Sequence, residues 1–420
     1  MLGKLGSFLG VSSGPLPSSH TAPTRADSYV GIAKELENSN VPVSETDCAS
    51  CSNPCSSTPI EGSAGQINEI IYQGKSYEDY VLEKYGDLGE LPKGFDTDWE
   101  SDLQGSSKGG KCRVVVISTG KSDWERDHVD EKDSLAHYLD KAISSAPSIP
   151  ESKSSTPTSK SSLSYISSSS FPSPSKPFTQ PISQPPSLYS SSLISQSDDP
   201  TDQSVLVFPD WKVVHEIDNS LNGAKSLYEN QLSGELGRSG QKGINPKDEF
   251  NRRRSYVLPY RAVILLCSHK RRDKRCHIAA PLLRSALHTV LSKYDIDIDE
   301  DGSSLSHLDG PPLEEVEGTD IEREEEVGKR IEQIESVHGG EGGQVGIFNI
   351  NHLGGHRYAG VMLILFPSGA YISYGRVTPQ EIPRVVEDTI LQGKIVPGLL
   401  RNAVGVERQG EKAGKGFLGW

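Results

Sequence analysis

Residues Tyr260–His277 read YRAVILLCSHKRRDKRCH, and Asn351–Tyr358 read NHLGGHRY. The first stretch opens as an apolar, β-branched run ending on Cys267, which predicts a buried strand. A basic loop follows, and Cys276 opens a helix to about Tyr294 with Ile278, Leu282, Leu283, Leu287 and Leu291 on one face. Gln344–Ile350 predicts a second strand, running straight into the histidine and glycine loop. A hairpin over 359–366 and 370–374 comes next. A last helix starts after Thr378, with Pro379 at its first position and Glu381 set to complete a capping box. Strand, helix, strand, hairpin and helix in that order make an α/β sandwich, with helices covering a mixed sheet.

Cys267, Cys276, His352 and His356 lie on loops at strand ends. Two thiolates and two imidazoles form a four-ligand set for a metal or an iron–sulfur centre. His352 and His356 share the spacing of a helical zinc pair, but Gly354-Gly355 between them speaks for a loop, and no Glu follows His352. Such a loop brings backbone close to a bulky cofactor, where its amides can donate to cluster sulfur. Structural zinc remains open on ligand chemistry alone. His269 and His277, which flank the cysteines, are alternative donors.

Composition bounds the rest. The chain has 420 residues, 34% of them apolar, with 41 Gly, 27 Pro and a formal net charge of -14. About 250 residues are expected to fold, the remainder forming linkers or insertions. The acidic balance argues against nucleic acid as a partner. No run approaches the roughly 18 apolar residues of a membrane span. Six cysteines with no secretory signal favour reduced thiols or metal ligands over disulfides, so the expected setting is soluble and intracellular.

Taken in order, residues 1–65 read as a flexible polar segment. Their first 26 residues carry Lys4 and Arg25 and no acid, a composition compatible with a mitochondrial presequence, though a polar leader is the plainer reading. Cys48, Cys51 and Cys55 supply a CxxC and a third cysteine without a second zinc half-site. A thiol–disulfide oxidoreductase working through Cys48 and Cys51 is the corresponding alternative function. A first domain spans 66–215, with a strand at Cys112–Ile117, a helix over 133–143, a disordered Ser/Pro insertion at 147–204 and a short strand pair at 205–214. The Ser118-Thr-Gly-Lys-Ser122 turn lacks the glycine that a phosphate loop needs five positions earlier. A linker covers 216–254. The second domain covers 255–402 and contains an acidic insertion at 295–344, and a flexible tail runs from 403 to 420.

CSHKRRDKRC, HLGGH and the TGKSDW of the first domain together resemble the sucrase/ferredoxin-like family, and within it the fungal actin-patches-distal proteins most. In the related thioredoxin-like 2Fe–2S ferredoxins, a CxxxC stands where this chain has His352 and His356. The resemblance covers about 66–144, 205–215 and 255–402. It implies two thioredoxin-like domains, the second holding a 2Fe–2S cluster on Cys267, Cys276, His352 and His356 and the first carrying none. An electron carrier with proton coupling, rather than a self-contained enzyme, is the function so implied, with a zinc-stabilised interaction module as its rival. The cations of His269–Arg275 would dock an acidic redox partner. Trp420 resembles the terminal signal read by the cytosolic iron–sulfur targeting machinery, although Gly419 replaces the usual polar neighbour. Cytoplasm, with the nucleus also open, is the expected location, and the mitochondrion is the alternative.

Overall fold

The computed structural model describes residues 32–44, 72, 74–99, 101–107, 109–146, 166–167, 182, 184–242, 254–408 and 416–418. Besides a short helix at 32–38, its helices are α1 (Tyr77–Tyr85), α2 (Leu135–Ser145), α3 (Leu221–Leu227), α4 (Lys274–Leu291), α5 (Asp320–Glu332) and α6 (Ile382–Arg384, continued as a wider turn over Val385–Leu391). Its strands are β1 (Val114–Ser118), β2 (Ile166–Ser167), β3 (Ser187–Ser191), β4 (Gln203–Phe208), β5 (Lys212–Ile217), β6 (Arg254–Val257), β7 (Ala262–Cys267), β8 (Asp297–Asp299), β9 (Gln344–Ile350), β10 (Met362–Leu365), β11 (Tyr371–Tyr374) and β12 (Leu400–Val404). Among the described residues, no helix is long and apolar enough to cross a membrane.

All twelve strands belong to one mixed sheet, ordered β2-β12-β11-β10-β7-β9-β3-β1-β4-β5-β6, with β8 also on β9. The order contains one plan twice. In the second half β7 and β9 are parallel across the α4 crossover, and the β10–β11 hairpin adds antiparallel beside β7. In the first half β1 and β3 are parallel across α2, and the β4–β5 hairpin adds antiparallel beside β1. Each half is thus thioredoxin-like in connection and order. The halves meet antiparallel at Ser191 and Ile350. Ser192 N donates to Asn349 O at 2.9 Å and Asn351 N donates to Ser190 O at 3.0 Å, which makes the sheet continuous.

Strand β7 is buried along its whole length because helices and loops cover both faces, which is why it reads as an unbroken apolar run. One core lies under α4 and α6, another under α2 and α3, and a third is shared by both halves through Trp211, Leu258, Leu363 and Val327.

Several boundaries drawn from composition move. The segment 32–44, expected to be flexible, holds a short helix at 32–38 and buries Leu36 and Val41 against the second half. Helix α1, placed by sequence in the first domain, packs Tyr77, Val81 and Tyr85 into the same second-half core, and Tyr77 Oη donates to Gln380 O at 2.8 Å. Its aromatic face had no way to announce which core it would join. The end of the Ser/Pro insertion is the central strand β3, ordered by pairing on both sides rather than by its own apolar content. The supposed linker contributes Ala224, Leu227 and Leu232 to the first-half core.

The acidic insertion is also packed. Helix α5 begins with a capping box between Thr319 and Glu322 and buries Val327 and Ile331. Its Arg323 donates to Gly240 O and Leu313 O at 3.0 and 2.9 Å. In the tail, Val406, Phe417 and Leu418 are buried, with the Phe417 ring 5.2 Å from that of Phe366. Thr378 does precede the last helical segment, with Pro379 first, yet its side chain makes no cap bond. Glu381 instead reaches Arg384 at 3.4 Å, so the expected capping box does not form.

Candidate metal centre

Parallel strands present their carboxyl ends side by side. Cys267, the last residue of β7, stands opposite Ile350, the last residue of β9. His352 therefore leaves the sheet next to Cys267. The loop after β7 turns back at once: Asp273 caps α4 by accepting from Arg275 N at 2.9 Å, and this sets Cys276 in the first helical turn. The ligand atoms of Cys267, Cys276 and His352 all lie within 4.8 Å of one another. Cys267 Sγ is 3.7 Å from His352 Nδ1. Cys267 and Cys276 are 2% and 0% exposed, and His352 is half-buried. His356 begins a short 3-10 turn, His356–Tyr358, and its side chain lies outside the described part of the structure.

Three donors thus converge, and they form a group that can hold a metal ion. Hydrogen bonding from Cys276 holds the Cys267 thiol well below the usual range, helped by His352 and opposed by burial. The same bond, together with burial, pushes the Cys276 thiol up. The opposite shifts come from one hydrogen bond between the two sulfurs, and a cation drawing on both would displace the proton in it.

A buried guanidinium completes the electrostatics. Arg401, on β12, is 0% exposed and donates to Ser106 Oγ, Ser106 O and Ser373 Oγ at 3.0, 3.1 and 3.3 Å, all neutral acceptors. Burial lowers its proton affinity, while Tyr371, Cys267, Tyr358 and Cys276 raise it. A buried cation is costly without nearby negative charge, and the two sulfurs are a source of it. Gly355 explains one of the loop glycines. Its φ is +67°, and a Cβ there would sit 2.4 Å from Arg401 Nη2.

Leu103, Leu353, Tyr358 and Val361 surround the sulfurs. Leu103 belongs to a strap, 96–99 and 101–107, that holds the histidine loop in place. Asp98 N donates to Arg357 O at 2.7 Å, Tyr358 Oη to Asp102 O at 2.7 Å, and Gly105 N to Arg401 O at 2.8 Å. Sequence reasoning missed this strap and Arg401. The strap lies some 250 residues from the loop it holds, with no pattern linking them. For Arg401 a signal existed: a cation inside the apolar run LLRNAV.

Neither alternative histidine joins the converging group. His269 is 1% exposed, and its Nε2 is 2.9 Å from Trp124 O, joining the two halves. His277 is exposed on α4. Within the basic loop, Arg271 pairs with Asp123 at 3.7 Å and with Glu125, Arg272 donates to Arg126 O at 3.2 Å, and Arg275 meets Asp96 at 3.3 Å. Lys121 of the TGKS turn pairs with Glu131. In the first half Ser118 and Ser191 end the strands equivalent to β7 and β9, so neither position offers a thiol or an imidazole. Cys48, Cys51, Cys55 and Trp420 lie outside the described residues.

The sucrase/ferredoxin-like family model matches residues 103–402, a span that contains the converging donors, the strap's end and Arg401. The chain belongs to the sucrase/ferredoxin-like family. Among curated relatives, Altered inheritance of mitochondria protein 32 of Clavispora lusitaniae is 25% identical over 34% of this chain and 35% of its own length. Actin patches distal protein 1 of Saccharomyces cerevisiae is 30% identical over 31% of this chain and 30% of its own. The chain thus aligns with about a third of the length of these relatives. No solved structure matches it.

Proposed function

We propose that this sucrase/ferredoxin-like protein holds a 2Fe–2S cluster on Cys267, Cys276, His352 and His356 and carries single electrons. The observation that supports this most is the pair of buried sulfurs within 4.8 Å of an imidazole. Arg401 adds to it, because its hydrogen-bond acceptors are all neutral. A cluster supplies one-electron chemistry, and the chain supplies burial, the cation and the enclosing strap. Two imidazoles in place of two thiolates make the assembly less negative. Its potential then belongs nearer the roughly -150 to +300 mV of His₂-ligated centres than the about -400 mV of all-cysteine plant ferredoxins. Electron uptake raises imidazole basicity, which gives proton coupling.

The deciding measurement is iron and acid-labile sulfide after anaerobic reconstitution, with visible and EPR spectra beside His356→Cys. Iron and sulfide in equal amounts, with altered spectra and a lower potential in the variant, are the expected results. Stoichiometric zinc in a colourless protein would select the zinc-stabilised interaction module, which the same donors suit. The Cys48/Cys51 oxidoreductase would be chosen instead by disulfide exchange that survives His352→Ala and vanishes in Cys51→Ser.

Arg401 yields a second expectation. A buried cation favours the state with the extra electron, so Arg401→Gln should lower the potential by on the order of 50–100 mV, for an interaction of about 1–2 kcal/mol. An unchanged potential in a folded, cluster-bearing variant would remove Arg401 from this role.

We further propose an acidic redox partner docking at the basic loop. Its Lys270 and Lys274 are exposed, while its arginines are partly engaged with the first half. Recruitment through Trp420 is proposed on sequence alone. Phe417 and Leu418 are buried and are not available as free anchors for it. A reducing compartment suits the thiol ligands. We propose the cytoplasm, with the mitochondrion as the alternative suggested by the relatives' printed name.

A further inference from the structure

A groove of about 370 Å³ runs between α4 and the loop after β1, on the face of the sheet that α4 covers. Its volume falls in the about 300–1,000 Å³ range of small-molecule sites. Three residues of its lining each carry a side-chain polar atom that is buried without a hydrogen-bond partner: Ser268 Oγ, Asn349 Oδ1 and Arg284 Nη2. Buried polar groups are nearly always paired, so three left open around one groove need an explanation.

Their convergence follows from the fold. Side chains alternate along a strand, and Ile350 points into the core shared by both halves, so its neighbour Asn349 faces α4. Ser268 continues the face of Leu266, which packs under the same helix. Ser268 is itself 3% exposed. Arg284 comes from the middle of α4, where Glu300 holds its Nε at 3.2 Å and leaves Nη2 unengaged. His277, about two turns of helix before Arg284, and His288, about one turn after it, also line the groove, and Glu300 already meets His288 Nε2 at 3.0 Å. Pro281 lies inside α4 and has no N–H to offer the carbonyl of His277, which adds an acceptor.

We propose that this groove binds a small organic anion bearing a hydroxyl or amine. The carboxylate or phosphate group would take Arg284 Nη2 and the His277 imidazole, and the hydroxyl or amine would donate to Asn349 Oδ1 and bond Ser268 Oγ. Ser268 and His277 directly follow Cys267 and Cys276, so the ligand would lie against the backbone that carries both thiols. None of the three unpaired groups is a metal donor. Binding is therefore expected in metal-loaded and metal-stripped protein alike, and it does not depend on which metal the centre holds.

The test is isothermal titration of the full chain with glycerate and with glycerol 3-phosphate, which distinguish a carboxylate from a phosphate ligand, and with glycerol as the uncharged control. Saturable one-site binding of at least one anion and none of glycerol is expected. Arg284→Gln should weaken it about tenfold or more, the loss of a charge-assisted hydrogen bond. Ser268→Ala should weaken it by a smaller factor, and Arg284→Lys should retain part of the affinity if the glutamine variant unfolds. Absence of saturable binding by either anion up to about 10 mM overturns the proposal. So does equal affinity in a folded Arg284→Gln variant.

Discussion

Cys276→Ala should leave the protein folded and strip it of bound metal. Cys276 sits in the first turn of α4 at 0% exposure, and alanine keeps that turn helical. What disappears is one of two sulfurs in a donor set whose ligand atoms lie within 4.8 Å. Metal affinity built on shared thiolates does not survive the loss of one at ordinary protein concentrations, so metal content should fall to background. The thermal midpoint should drop to that of chelator-treated wild type, and chelator should no longer shift the variant, because binding to the native state is what raised it. A cysteine that merely fills the core would behave otherwise. Its removal would cost a modest amount of stability while stoichiometric metal persisted, and that result would dismantle the centre.

Asp210→Ala should destabilise the first half by about 3–5 kcal/mol, the cost of breaking a buried ion pair from one side. Asp210 is 0% exposed in the turn between β4 and β5. Arg113 Nε lies 3.1 Å from both of its oxygens, and Lys212 Nζ is 3.3 Å away. Without the carboxylate, two buried cations lose the anion they share, although Lys212 keeps Gln231 Oε1 and Arg238 O at 2.7 Å each. Burial already lowers the Lys212 proton affinity, and Asp210 offsets part of that. Between this depressed native value and the ordinary one near 10.5, the unfolded chain binds more protons, so stability rises with pH in that window. The variant should show a steeper rise. Urea unfolding of Asp210→Ala and of Asp210→Ala/Lys212→Met across pH checks this, the double variant recovering part of the loss. A cost under about 1 kcal/mol would mean that the cluster is hydrated and its charges are screened.

Local sequence was a good guide where apolar patterning and pairing agree. Gln344–Ile350 forms β9 with the expected limits, the 260–267 run forms β7, and the helix opened by the second cysteine is α4. Each carries enough β-branched or one-faced apolar content to declare its period. Ser187–Ser191, in contrast, reads SLYSS and falls in a Ser/Pro-rich tract. It is a strand because β1 lies on one side and β9 touches the other. The acid-rich 295–344 stretch misled for a related reason: charge density in sequence says nothing of Arg323 and Glu324 being buried by backbone and side-chain partners over 80 residues away.

The chain's own pattern determined that there is an α/β fold, with a strand–helix–strand–hairpin–helix order in its second half, and which cysteines and histidines close its strand ends. Those are properties of short windows, where residue type and spacing decide conformation. Only the tertiary structure decided that the two halves share one sheet, that Cys267, Cys276 and His352 meet while His269 turns to Trp124, and that Arg401 lies buried near the thiols. It also brought Ser268, Arg284 and Asn349 to a common groove. These depend on which surfaces pair across tens to hundreds of residues, and such pairing is chosen by packing and by the satisfaction of buried polar groups, which no local stretch of sequence records.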